Sequence, residues 1–164
     1  MDVLRTGSLL VATVSMGLVA GVFALYTHTI MPGLSRTDDR TFVGAFQSID
    51  RAIINPWFLG GGFFGALVLT IVAALAQIGR DGLPWITGAL ALYLVAVVIT
   101  MAVNVPLNDG IKAAGDPDGI ADLAGVRARF NEARWRSWNL ARVVTSTLAF
   151  GLLAWALVLD GQAA

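Results

Sequence analysis

Arg142 lies four residues inside an apolar stretch, 138–159, that is long enough to cross a bilayer, and no Asp, Glu or Lys stands within that stretch. A charge at membrane depth is costly and is therefore a functional-site hypothesis in its own right. Asn131, Trp135, Trp138, Asn139 and Arg142 fall at i, i+4, i+7, i+8 and i+11, and Ser146 continues the series a turn further on. On a helix these positions share one face. A planar guanidinium with five donors suits an oxyanion, and the indole rings beside it can stack on an aromatic ligand. A purely structural reading competes. Arg142 is only about one turn, ~6 Å, beyond Trp138, so it could snorkel to the headgroups while the tryptophans form an interfacial belt. The amides on the same face favour the ligand reading, because a snorkelling Arg needs none.

Further polar groups fall at the same end of the chain's apolar runs. Asn104 and Asn108 bracket Pro106, and Asn55 precedes Pro56. Asn104 could recapture backbone groups freed by Pro106, or both amides could face inward beside Arg142. His28, near Tyr26, is a candidate base close to neutral pH or an ordinary interfacial His. A metal held by His28 with Asp38, Asp39 or Asp50 has no supporting ligand spacing. No nucleotide loop or Ser–His–Asp set is found, and the apolar runs contain no chain of acids for a proton relay.

The elements that must position these residues are all helical. Four stretches, about 3–28, 57–78, 83–103 and 138–159, approach or exceed the ~20 residues that span ~30 Å of hydrocarbon. The expected fold is all-α: a four-transmembrane-helix bundle in one domain covering 1–164. Helices two and three are joined by the tight turn Gly79-Arg80-Asp81-Gly82. The other two connections are long and carry amphipathic helices, about 38–54 and 117–137. In the first, Pro32 and Gly33 are expected to end helix one, and Thr37-Asp38-Asp39 starts a new helix with Phe42, Phe46, Ile49 and Ile53 on one face. That helix should lie at the interface or cover the bundle mouth. In the second, Pro106 is expected to break helix three, and a helix from Ile120 can run through Asn131 into helix four. Gly17-x-x-x-Gly21 and Gly61-x-x-x-Gly65 offer small-residue faces for close helix contact.

Composition agrees with this reading. The chain is 57% hydrophobic and only 13% charged, against roughly 25% charged for a soluble domain. A formal net charge of zero argues against a nucleic-acid partner. The absence of Cys excludes disulfides, thiolate metal sites and Cys nucleophiles. The long connections hold Arg36, Arg40, Arg51, Lys112, Arg127, Arg129, Arg134 and Arg136, while the opposite side holds Arg5 and Arg80. The positive-inside rule then places both long connections in the cytoplasm and both termini outside. A bacterial-type plasma membrane is the expected location, and a homo-oligomer is compatible with the chain.

The chain resembles the anthrone oxygenase-like family of small four-helix membrane proteins along nearly its whole length. The carriers are Met31-Pro32-Gly33-Leu34, Phe42-Val43 through Ile54-Asn55-Pro56, Asn104-Val105-Pro106-Leu107-Asn108, and Trp135-x-x-Trp138-Asn139-x-x-Arg142. His28 does not belong to the pattern. The resemblance implies a monooxygenase that uses molecular oxygen as co-substrate, without an added cofactor, to convert an anthrone-type polyketide ring to a quinone. The residue reading and the resemblance are together consistent with a catalytic group of Arg142, Asn139, Asn104 and Asn108 that would stabilise an enolate or phenolate oxygen. Trp135, Trp138, Asn55, Asn131 and His28 would contact a hydrophobic aromatic small molecule. The other functional class left open is a non-enzymatic lipid-, quinone- or small-molecule-binding membrane subunit.

Overall fold

The computed structural model describes residues 2–162 and is all-helical among them. Four helices are long and apolar enough to cross a membrane: α1 (Val3–Leu34), α3 (Trp57–Ala76), α4 (Leu83–Ala113) and a fourth span that continues to Gln162. This last span begins with a short helix, α5 (Leu123–Phe130), followed by α6 (Glu132–Gln162). The remaining helix, α2 (Asp39–Ile53), lies between α1 and α3.

The four long helices form a bundle in which α6 packs against α1 and α4, and α3 against the same two. The seam explains the packing. On α1 the buried residues are Leu9, Ala12, Met16, Val19 and Phe23; on α4 they are Ile86, Ala89, Tyr93 and Ala96; on α6 they include Ala149, Leu153 and Ala156. Steps of three and four place each set on one stripe, the pattern of left-handed bundles with knobs in holes. The alanines on these stripes let backbones approach closely. The outward faces, including Leu10, Val14, Val72, Leu75, Val98 and Leu148, are apolar and exposed, as a lipid-facing surface requires.

The two ends of the bundle differ. At one end, Asp160 gathers Arg5 Nε at 2.8 Å, Thr6 Oγ1 at 2.6 Å and Gln77 Nε2 at 2.9 Å. This polar knot ties the two ends of the chain to the α3–α4 turn, where Gly79 adopts φ +79°. At the other end, α2, α5 and the last turns of α4 form a cap over the bundle. The cap core contains Met31, Phe42, Val43, Phe46, Ile111, Val126, Phe130 and Trp135. Asp38 starts α2 by accepting from the Thr41 N–H at 3.0 Å, and the Thr41 bonds hold its carboxyl below the usual carboxylate range. Gln47 Nε2 donates to the carbonyls of Ile111 and Gly115, closing the end of α4 against α2. Arg127 on α5 donates to Thr37 O, Ser35 O and Asp39, and lies 4.2 Å from the centre of the Phe42 ring.

Three features depart from the sequence expectations. Pro32-Gly33 does not end the first helix, and Pro106 does not break α4. Each Pro lies in the first turn of an α segment that follows a π-helical one, Tyr26–Ile30 or Thr100–Asn104. The change of hydrogen-bond register makes the missing Pro N–H tolerable there, so the chain stays helical. The helix leading into α6 does break, at Asn131. This residue has φ +53°, a left-handed conformation that Asn tolerates better than most residues. The glycine motifs do less than their spacing suggests. A Cβ on Gly17 would meet Phe150 at 2.9 Å, but nothing lies within 4 Å of one on Gly21 or Gly61. Gly65 is required by its own helix, since a Cβ there would run into the carbonyl oxygen of Gly60.

Candidate functional site

Three π-helical segments lie at the capped end: Tyr26–Ile30 in α1, Trp57–Phe63 in α3 and Thr100–Asn104 in α4. Such segments are rare and concentrate at functional sites. All three contribute to the wall of one cavity, through Tyr26, then Phe58, Leu59 and Phe63, then Thr100 and Met101. The cavity holds about 270 Å³. This is near the lower end of the ~300–1,000 Å³ usual for small-molecule sites. Its floor and walls are apolar and aromatic. Four of its lining residues, Ile54, Phe64, Met101 and Asp109, are exposed, so the cavity is open to the outside where they lie.

Arg142 projects into this cavity from α6 and is only 6% exposed. Its Nη2 donates to Asn139 Oδ1 at 2.6 Å and its Nη1 to Thr100 Oγ1 at 3.2 Å. The guanidinium carbon lies 4.3 Å from the centre of the Phe23 ring and 5.5 Å from that of Trp135. Its Nε has no hydrogen-bond partner. Among the described residues no carboxylate forms an ion pair with it. The cation is therefore held by neutral groups and ring faces, with donor capacity left over. An anion or a developing oxyanion in the cavity would complete it.

Asn139 fixes the guanidinium from behind. It is fully buried, and its Nδ2 donates to Phe23 O at 2.9 Å and Thr27 Oγ1 at 2.7 Å. Phe23 O lies just before the π segment of α1, where the change from i+4 to i+5 bonding leaves carbonyls in need of donors. The amide thus serves two helices at once.

A second polar group lines the cap side of the same cavity. Trp135 Nε1 donates to Asn108 Oδ1 at 2.7 Å, and Asn108 Nδ2 donates to Asp50 Oδ1 at 2.6 Å. Lys112 Nζ lies 2.8 Å from Asp50 Oδ2 and 3.1 Å from Asp109 Oδ1. Asn108 and Lys112 are one turn apart on α4, and Asp50 descends from α2. An indole, an amide, a carboxylate and an ammonium are thereby linked in series, and the donor on one side of Asn108 and the acceptor on the other fix its orientation.

The structure separates the residues that the sequence grouped. Arg142, Asn108 and Trp135 line the cavity, with Asn139 directly behind Arg142. Asn104 is buried and donates from Nδ2 to Trp135 O at 3.3 Å, tying α4 to α6, while its Oδ1 has no partner. Trp138 is 41% exposed and faces away from the bundle. It lies about 60° around the helix from Trp135 at 3.6 residues per turn. Asn131 is spent at the start of α6, where its Oδ1 accepts from Arg134 N at 3.1 Å. Asn55 plays the same part for α3, accepting from Phe58 N at 2.9 Å. His28 is exposed, its ring bonded only to the Thr29 hydroxyl, and does not line the cavity that Asp50 lines. Among the described residues no three His, Cys, Asp or Glu side chains gather into a metal-ligating cluster.

Among the cavity residues that sequence reasoning left out of the site are Phe23, Tyr26, Asp50, Thr100 and Lys112. Two of them carried a signal. Asp50 falls four and eight residues beyond Phe46 and Phe42, an acid on the apolar face of its helix. Lys112 completes the series Asn104, Asn108, Lys112 at steps of four.

No curated protein and no solved structure matches the chain. One family model, described as Anthrone oxygenase, matches residues 55–152. This stretch is more than half of the chain. It contains Asn108, Lys112, Trp135, Asn139 and Arg142, whereas α1 and α2 lie outside it. A match of that extent, across the helices that supply Arg142 and most of the polar groups around it, makes this membrane chain a member of the anthrone oxygenase family.

Proposed function

We propose that this protein is a membrane-embedded oxygenase that converts a planar, anthrone-like aromatic substrate and molecular oxygen to a quinone and water. The observation that carries the reading is Arg142, a buried cation without a carboxylate partner, facing an aromatic-walled cavity in a chain of this family. Loss of a proton from the ring methylene leaves a delocalised anion whose charge rests largely on the ring oxygen. Arg142 meets that oxygen, Asn139 and Thr100 hold the guanidinium in place, and Phe23, Tyr26 and Trp135 flank the rings. The substrate is apolar enough to partition into the bilayer and enters the cavity past its exposed apolar wall residues Ile54, Phe64 and Met101. The eight basic residues on the cap side support a cytoplasmic cap, with both termini outside.

Purified protein supplied with anthrone in aerated buffer should consume oxygen and form quinone in equal amounts. Arg142→Met and Arg142→Lys should both insert normally and lose about 10²–10³-fold in kcat, the usual effect of removing a group that stabilises a transition-state oxyanion. A lysine at this position cannot hold the Asn139 bond and reach the substrate oxygen together. Unchanged turnover in both variants would sink the role given to Arg142. Saturable binding of the anthrone without oxygen uptake would instead favour a small-molecule-binding subunit.

A further inference from the structure

The cavity contains a second charged group on its cap side, and the oxygenase reading leaves one chemical task open. Forming the anion requires a base at the ring methylene, and stabilising the oxygen does not supply one. Two carboxylates line the cavity. The Asp109 side chain is 63% exposed and borders the outer rim. Asp50 is 6% exposed; its Oδ1 accepts from Asn108 Nδ2 at 2.6 Å, while Lys112 Nζ is ion-paired at 2.8 Å with its Oδ2, which makes no hydrogen bond. Each of its oxygens is held by one of these groups. A carboxylate has about four acceptor sites, and Oδ2 accepts no hydrogen bond, so lone pairs remain free. Lys112 pairs with it in a largely apolar wall, and Asn108 links it to Trp135, which also flanks Arg142. His28, the base suggested by residue type, stands outside the cavity.

We infer that Asp50 is the proton acceptor of the reaction, held in position by Asn108 and Lys112; this assignment rests on the oxygenase reading above. Arg142 and Asp50 line the same cavity from different helices. An anthrone carries its oxygen and its acidic methylene at opposite positions of the central ring. Arg142 reaches the cavity from within the bundle, and Asp50 reaches it from the cap. Asp50 takes one proton from the methylene carbon, and the electron pair delocalises toward the oxygen beside Arg142. The carbanion gives its electrons to molecular oxygen, a carbon–oxygen bond forms, and the resulting peroxide anion recovers the proton from Asp50. Removal of the second methylene proton by the same carboxylate forms the new carbonyl as the O–O bond breaks. The departing hydroxide takes up that proton as water. One oxygen atom ends in the quinone, the other in water, with both methylene hydrogens.

Three of the partners around Asp50, namely Asn108, Lys112 and Trp135, lie within the family match, while Asp50 itself lies outside it. The test is steady-state turnover of anthrone and of its methylene-deuterated form by wild-type protein, Asp50→Asn, and the double variant Asp50→Asn/Lys112→Met. The double variant removes both charges of the pair, so that loss of turnover does not depend on a Lys112 left with Asp109 alone. Both variants should lose about 10²-fold or more in kcat, the range of a general base. Their isotope effect should exceed that of wild type, because C–H cleavage becomes slower than every other step. Added formate should restore turnover to Asp50→Ala by occupying the vacated space as a replacement base. Variants that keep kcat within about threefold of wild type, far short of that range, overturn the assignment. So does a slow variant with an unaltered isotope effect and no response to formate, which would mark Asp50 as a strut only. Wild-type protein that yields no quinone removes the oxygenase reading itself, and the assignment with it. That result is distinct from active wild type beside an unimpaired variant.

Discussion

Two tryptophans three positions apart illustrate how residue type and residue placement diverge. Trp135 is 2% exposed and donates to Asn108, whereas Trp138 faces outward. Trp135→Phe should therefore cost about 1 kcal/mol, because it leaves the part-buried Asn108 Oδ1 without its donor. It should also slow turnover by loosening the Asn108–Asp50 contact. Trp138→Leu should leave turnover within about twofold of wild type, the scale of a surface change. Thermal unfolding in detergent and anthrone kinetics on the two variants check both statements. Reading spacing alone put both rings on the site face, because i+3 and i+4 neighbours lie less than a quarter turn around the helix from residue i. Arg142 and Asn139 were legible for a stronger reason, since a charge or an amide at membrane depth is too costly to persist without a partner or a task. Asp50 was less legible. Its companions Asn108 and Lys112 lie more than fifty residues away, and only folding brings them to it.

At the scale of elements, the long helices were readable from length and hydropathy, but their inward faces were not. A helix in lipid is apolar all round, so periodicity does not separate the seam from the lipid side. The cap helix α2 bathes one face in water, and its Phe42 and Phe46 stripe was plain. The π segments left only indirect marks. Each adjoins a proline, at Pro32, Pro56 or Pro106, and those prolines read as helix ends when taken singly. Gly65 tests the π geometry directly. Gly65→Ala drives a Cβ into the carbonyl of Gly60, which is backbone and has no flexible end to yield. It should destabilise the protein by about 1–3 kcal/mol or more, as overpacking does. It should also lower turnover, because Phe58, Leu59 and Phe63 ride on that segment. Gly61→Ala, with open space at its Cβ, should be neutral in both assays. Equal melting temperatures for the two variants would count against a π turn at this place.

At the scale of the molecule, the chain has a knotted end around Asp160 and a capped end around the cavity, with the basic residues concentrated at the cap. The absence of Cys makes its orientation easy to measure. Ala121→Cys in the cap and Asp81→Cys in the α3–α4 turn are both exposed positions. An impermeant maleimide should label Asp81→Cys from outside intact cells and Ala121→Cys only after lysis, and the reverse pattern would invert the proposed topology. The three widened turns also bear on how such a cavity can change over generations. A π turn is an α-helix with one residue inserted, and removing that residue rotates everything beyond it by about 100°. Such a deletion in α4 would swing Asn108 and Lys112 away from Asp50 without altering either side chain. The pocket is thus recorded partly in residue count, and among relatives a one-residue length difference in these helices should reshape it more than most substitutions.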